Sequence, residues 1–216
     1  MVERQKLLEH VAEQILELPT NHTIRVAIDG VDGSGKTFFA NELAQVLESA
    51  KRPIIRSSVD SFHNPKSVRY RMGKTSPEGY FRDSYNYPQL KETLLDPLSP
   101  DGSGRYRTAV FDHKLDAQVS LPEEQAQPNS ILIFDGIFLH RPELRTYWDF
   151  SIFLEVGFNI TFPRMAQRGD SSPNPLAPEN HRYVAGQKRY LRACTPQKYA
   201  TVVINNENLA TPYIVT

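Results

Sequence analysis

Leu7, Leu8, Val11, Ile15 and Leu18 recur at helical spacing between charged positions, so the first eighteen residues predict an amphipathic helix stopped before Pro19. The period then changes. Thr23 to Ile28 is a short apolar run, and runs of the same kind follow at Pro53 to Val59, Ile131 to Phe134, Phe150 to Val156 and Thr201 to Ile204. Helical spacing returns after the first run, through Phe39, Leu43, Val46 and Leu47. Near-continuous apolar strands interleaved with helices predict a parallel sheet covered on both faces, because only such a sheet hides both sides of every strand. The expected fold is α/β, with three layers.

Two stretches break the pattern. Residues 61–127 are rich in Tyr, Pro, Arg and Asp, with a helix expected over Gln89 to Leu95 and a hairpin through Tyr106 to Val119; this reads as an insertion on the substrate side. Tyr70, Tyr80, Tyr85, Tyr87 and Tyr106 either line a pocket there or form the insertion's core. The run from Asp170 to Asn180 carries three prolines and no periodicity, which predicts a mobile loop.

Length and charge narrow the class. A chain of 216 residues fits a single domain. Its 25 basic and 25 acidic residues balance, so no bulk attraction to nucleic acid or anionic membrane is expected, and any basic site is local. The single cysteine, Cys194, and the lack of an apolar leader or a run of about 20 apolar residues predict a cytoplasmic, reducing setting with no membrane span.

The chemistry begins at Gly30-Val31-Asp32-Gly33-Ser34-Gly35-Lys36-Thr37, which satisfies G-x-x-x-x-G-K-[ST] between a strand and a helix. That context turns backbone N–H groups and the positive end of a helix toward phosphate. Gly33 and Gly35 allow close approach, Lys36 reaches the β- and γ-phosphates of ATP, and the Thr37 hydroxyl takes a Mg²⁺ position. Asp135 ends the apolar run Ile131 to Phe134, as a second Mg²⁺ partner does, although Asp-Gly also simply makes turns. Asp60 ends the second strand, where ligands of open α/β sheets bind, and suits a base for an acceptor hydroxyl; a capping role is the alternative. His63 is either a substrate contact or a solvated loop histidine. Arg164 and Arg168 share a helix face and either close over a transferring phosphate or coat a solvated surface; Arg182, Lys188, Arg189 and Arg192 extend the basic patch.

In order along the chain, Gly33 to Thr37, Asp60-Ser61-Phe62-His63, Phe134-Asp135-Gly136-Ile137, Arg164 to Arg168, and Tyr199 to Ile204 resemble the uridine kinase and phosphoribulokinase family. The resemblance implies a P-loop kinase fold with a five-stranded sheet in order 2-3-1-4-5, a lid over about 160–182, ATP as donor with Mg²⁺, Asp60 as base, and Arg164 and Arg168 on the lid. Asn86 falls where uridine kinases carry an aspartate on the ribose hydroxyls.

Where the family reads a pyrimidine with tyrosine and histidine, this chain has Phe111-Asp112-His113-Lys114-Leu115-Asp116, so Phe111 and Asp116 stand at or near those positions and Asp112 between them. Asp135 replaces the family's usual glutamate, and Gly169-Asp170 follows the lid arginine in place of a direct aspartate. A kinase of a small-molecule hydroxyl is expected, with a nucleoside as the default acceptor. Pantothenate, ribulose phosphate or nicotinamide riboside types are alternatives, and a nucleotide switch without an acceptor is a reading of another class. Relatives assemble in several ways, which leaves a homo-oligomer open.

Overall fold

Seven consecutive buried residues form the first strand, β1 (Ile24–Gly30), and their alternation sorts them to two different neighbours. Ile24, Val26 and Ile28 enter one apolar cluster and Ala27 enters another on the opposite face. The structure is a computed structural model that describes residues 2–19, 21–169 and 171–215. Besides β1 the main sheet contains β2 (Ile54–Ser58), β3 (Ile131–Gly136), β4 (Phe150–Glu155), β5 (Val202–Asn205) and β6 (Tyr213–Ile214). The order across it is β2-β3-β1-β4-β5-β6, parallel except for β6, which pairs antiparallel with β5. The first five strands thus follow the expected order, and the expected count of five is corrected to six. Two paired residues after a turn carry too little periodicity to read as a strand.

One face of the sheet is covered by α1 (Val2–Leu16) and α2 (Lys36–Ser49), whose Leu8, Val11, Ile15, Phe39, Leu43 and Leu47 pack on Ile28, Ile133 and Ile152. The other face carries the insertion and α5 (His181–Cys194): Phe62, Tyr80, Tyr85, Leu94 and Tyr190 pack on Leu132, Phe134 and Phe153. Burial on both sides is why these strands read as continuous apolar runs. A smaller cluster of Phe162, Met165 and Val184 joins α4 (Phe158–Ala166) to α5.

The insertion departs from expectation in detail. The helix over Gln89 to Leu95 begins two residues earlier, as an α-turn at Tyr87–Leu90 that widens into a π-helical turn at Lys91–Leu95. The long hairpin resolves into two short ladders: Phe111–Asp112 pairs with Ala117–Gln118, while Arg105–Tyr106 pairs with Glu124–Gln125. Tyr106 therefore faces Glu124 and not a residue of the inner turn. Ahead of both ladders in the chain, α3 (Pro77–Asp83), capped by Ser76, lies against α5. Gly186 permits this approach, since a Cβ there would stand 2.7 Å from a Tyr80 ring carbon.

In the proline-rich loop, Asp170 lies outside the described residues, as does Met1 of the expected first helix. The buried Asn180 donates to the carbonyls of Ser172 and Asn174, at 2.9 and 2.8 Å, and ties the rest of the loop onto α5. No helix among the described residues is long and apolar enough to cross a membrane.

Candidate active site

The turn from Gly30 to Thr37 leaves β1 and opens α2. Gly35 takes the left-handed conformation at the helix start, with φ of 93°. Gly33, at φ of 77°, lies beneath α4: a Cβ on it would stand 2.6 Å from the Thr161 carbonyl oxygen, so only glycine fits. Lys36 folds over the turn and donates from Nζ to the Val31 carbonyl at 2.9 Å. Ser34 is buried, and its carbonyl accepts from Asn206 Nδ2 at 2.8 Å, joining the turn to the segment after β5.

At the end of β3, Asp135 is buried and both its oxygens are engaged. Thr37 Oγ1 donates to Oδ2 at 2.7 Å, and Arg56 of β2 donates to Oδ1 at 2.8 Å. Arg56 also donates to the Ile133 carbonyl at 2.6 Å and to Asn41 Oδ1, which fixes the guanidinium beside the carboxylate. The donor set fits Mg²⁺: a hydroxyl and a carboxylate, both hard oxygens, meet where the phosphate turn passes into α2. Among the described residues no three His, Cys, Asp or Glu side chains converge to hold a metal.

Asp60 opens the short helix Val59–Phe62 after β2, with its amide turned to Ser58 Oγ. Its side chain is exposed, lines a cavity of about 250 Å³ together with Asp32, Lys36, Thr37, Asp135 and Arg168, and accepts from Tyr85 Oη at 3.3 Å. Burial, and then the negative charges of Asp60 and Asp32, raise the Tyr85 phenol well above its ordinary value, so it acts as a donor. His63 Nδ1 lies 2.9 Å from the Asp60 carbonyl, and because a carbonyl only accepts, that nitrogen carries the hydrogen. The ring packs between Tyr85 and His113, with centroids 4.6 and 4.9 Å away. Burial lowers its pKa against the opposing pull of Asp60. Phe111, Asp112 and His113 line a second cavity that shares Asp60 with the first.

Several expected contacts fall elsewhere. Asn86 caps the following turn, accepting from the Gln89 amide and donating to Gln89 Oε1, both at 3.1 Å, and does not line the cavity with Asp60. Asp116 accepts from Arg69 at 3.0 Å and from the Lys66 amide at 2.9 Å, which ties the inner ladder to residues 66–69, and Asp116 itself lines neither cavity. Asp112 closes the ladder's turn by accepting from the Lys114 and Leu115 amides, and those bonds lower its pKa.

The two arginines expected on one lid face both line a cavity beside the turn with Gly33 and Phe38, but their other surroundings differ. Arg164 donates from one nitrogen to the Asn206 and Glu207 carbonyls, at 3.2 and 2.5 Å, while burial lowers its pKa; Arg168 lies beyond the end of α4 and lines the cavity with Asp60. Arg182 is buried, donates to the Lys74 carbonyl at 2.8 Å and stacks over the Tyr70 and Tyr80 rings, so it belongs to the core and not to a basic surface. Of the tyrosines, Tyr85 lines the cavity, while Tyr87 and Tyr106 are buried in the insertion.

Some participants carry no motif in the sequence. Asp29, fully buried at the end of β1, accepts from the Gly30 amide at 2.7 Å, from His140 Nδ1 at 2.7 Å and from the Tyr190 hydroxyl, bracing the start of the turn. The available signal was a charged residue within a strand run, which demands partners where it is buried. Arg56 in β2 is likewise a charge in a strand run. Asp32 accepts on Oδ2 from Tyr80 Oη at 2.6 Å and Gln187 Nε2 at 3.1 Å.

Against known proteins, the profile of the phosphoribulokinase/uridine kinase family matches residues 25–204. A uridine kinase of Leuconostoc citreum (strain KM20) is 22% identical over 185 residues, covering 80% of this chain and 86% of its own. The fold is similar to that of a possible uridine kinase from Bacillus stearothermophilus, with a TM-score of 0.71 and 23% identity over 91% of this chain and 96% of that one. It also matches D-glycerate 3-kinase from Cryptococcus neoformans var. grubii serotype A, with a TM-score of 0.59 and 13% identity over 97% of this chain and 98% of that one. With most of its length, including nearly all of the parallel sheet, inside the family match, the chain belongs to the phosphoribulokinase/uridine kinase family of ATP-dependent small-molecule kinases.

Proposed function

We propose that this kinase phosphorylates a hydroxyl of a small polyhydroxylic metabolite of the nucleoside type, with Asp60 as the base and the turn from Gly33 to Thr37 holding the phosphates of ATP. The observation that carries the reading is one cavity lined by Lys36, Thr37 and Asp135 together with Asp60, which accepts from Tyr85. A nucleotide switch has no need of a second carboxylate there, and family membership also speaks against it. Beside the turn, an apolar cavity of about 380 Å³ lined by Phe38, Gln167 and Leu209 suits the nucleotide's base.

In this reading the acceptor oxygen bonds to the γ-phosphorus as the bridging P–O bond to ADP breaks, and the acceptor proton passes to Asp60. Lys36 and Arg168 sit where charge grows on the transferred oxygens. Thr37 and Asp135 would hold Mg²⁺, which neutralises phosphate charge when bound.

One observation favours a non-nucleoside alcohol as the second reading. The ladder that reads a base in uridine kinases offers the apolar Phe111 here, and Asp116 is spent on Arg69 and Lys66. The test is ADP release from Mg-ATP with purified protein against a panel of nucleosides, sugars, sugar phosphates, D-glycerate and pantothenate. Release that depends on a hydroxyl acceptor supports the reading, and hydrolysis indifferent to every acceptor refutes it.

A further inference from the structure

Asp32 places a carboxylate inside a turn built to bind phosphate, where like charges repel. The structure shows how its direction is set. Oδ2 accepts from Tyr80 of α3 at 2.6 Å and from Gln187 of α5 at 3.1 Å, while the Asp32 amide donates to Gln187 Oε1 at 2.8 Å. Gln187 is fully buried and Tyr80 nearly so, so the clamp is rigid. Two hydrogen bonds from two distant elements orient the side chain, and a third holds its backbone amide. Among the described residues, none of the hydrogen bonds to Asp32 falls on Oδ1, and the residue lines the same cavity as Asp60 and Tyr85. Asn86, which the resemblance put on the acceptor's hydroxyls, is occupied with Gln89.

We infer that Asp32 reads the acceptor and not the nucleotide: its Oδ1 accepts a hydrogen bond from a second acceptor hydroxyl, distinct from the one that Asp60 deprotonates. The acceptor therefore carries at least two hydroxyls, as a sugar, a riboside or a hydroxy acid such as glycerate does. The inference rests on the proposed kinase reaction and names what its acceptor must contain. Tyr80 and Gln187 are positioning residues, acting through Asp32.

The test uses the full chain, Mg-ATP, and the acceptors uridine, D-ribose and D-glycerate, each beside analogues with one hydroxyl replaced by hydrogen. For an accepted substrate, removing the hydroxyl read by Asp32 is expected to lower kcat/KM by about 10–100-fold, the range for a lost charge-assisted hydrogen bond. Asp32→Asn keeps an oxygen for Tyr80 and Gln187 but puts an N–H₂ donor at the Oδ1 position. It should raise acceptor KM by roughly 10-fold, leave ATP KM within about 2-fold, and erase most of the discrimination against that analogue.

If Asp32→Asn does not fold, Tyr80→Phe keeps the carboxylate but loses one clamp, and should shift acceptor KM and discrimination in the same direction by a smaller factor. A rise in ATP KM, or a fall in kcat with discrimination intact, overturns the role of Asp32. Equal rates for every deoxy analogue in the wild type overturn it as well, with the kinase reading untouched. If no acceptor stimulates ADP release, the kinase reading falls and takes this inference with it.

Discussion

At the scale of the residue, the site is a set of charges whose partners fix what each can do. Lys36 reaches back only to a carbonyl, so a phosphate is its natural competitor. Lys36→Ala is expected to weaken ATP binding and transfer together, read as raised ATP KM and lowered kcat in a steady-state assay; unchanged ATP KM would contradict its placement. His63 gives a pH prediction with a definite sign. Burial holds its folded pKa below the ordinary value of about 6.5, so the unfolded chain binds more protons as pH falls. The cost is absent well above that value, develops as pH falls through it, and levels off below the folded pKa. Urea unfolding of wild type and His63→Gln at pH about 7.5 and 5 should show a larger loss for the wild type. Parallel losses would mean that His63 does not carry the slope.

At the scale of the element, β1 and the turn after it are the most constrained part of the chain. Ile28 is fully buried between β3, β4 and α2, and Ile28→Ala should cost about 2–5 kcal/mol, a fall in Tm of about 4–20 °C for a chain of this size, measured by calorimetry. Gly33→Ala forces a Cβ into the Thr161 carbonyl from a left-handed backbone. It should loosen α4 from the turn and weaken nucleotide affinity by titration at least several-fold. These elements were legible in the sequence because their periods were clean and the central strands β1 and β3 are buried on both faces. The edge strand β6 was not, since two residues have no period. Nor was the split hairpin, because the pairing of Tyr106 with Glu124 depends on a long closure that no local pattern encodes.

At the scale of the whole molecule, the turn from Gly30 to Thr37 is held from separate directions: by Asp29 with His140 and Tyr190, by Tyr80 and Gln187 through Asp32, and by Asn206 through Ser34. The motif residues Lys36, Thr37, Asp60 and Asp135 could be picked out one by one because the spacing of a phosphate loop and the ends of strands mark them. Their braces could not, since Tyr80, Gln187 and Asn206 meet only after the insertion and the last strand fold back. The partners of Asn86 and Arg164 were hidden for the same reason: a side chain at a family position is free to cap a turn or bind a carbonyl.

The proposed reaction requires this assembly to deliver Asp60 to the terminal phosphate. The most direct measurement compares Asp60→Asn with wild type for acceptor-stimulated ADP release and for ATP affinity. Turnover reduced by about 10²–10⁴-fold with ATP affinity nearly unchanged is the expected result. Full turnover in the variant, or a loss of ATP binding that accounts for the whole defect, would contradict it.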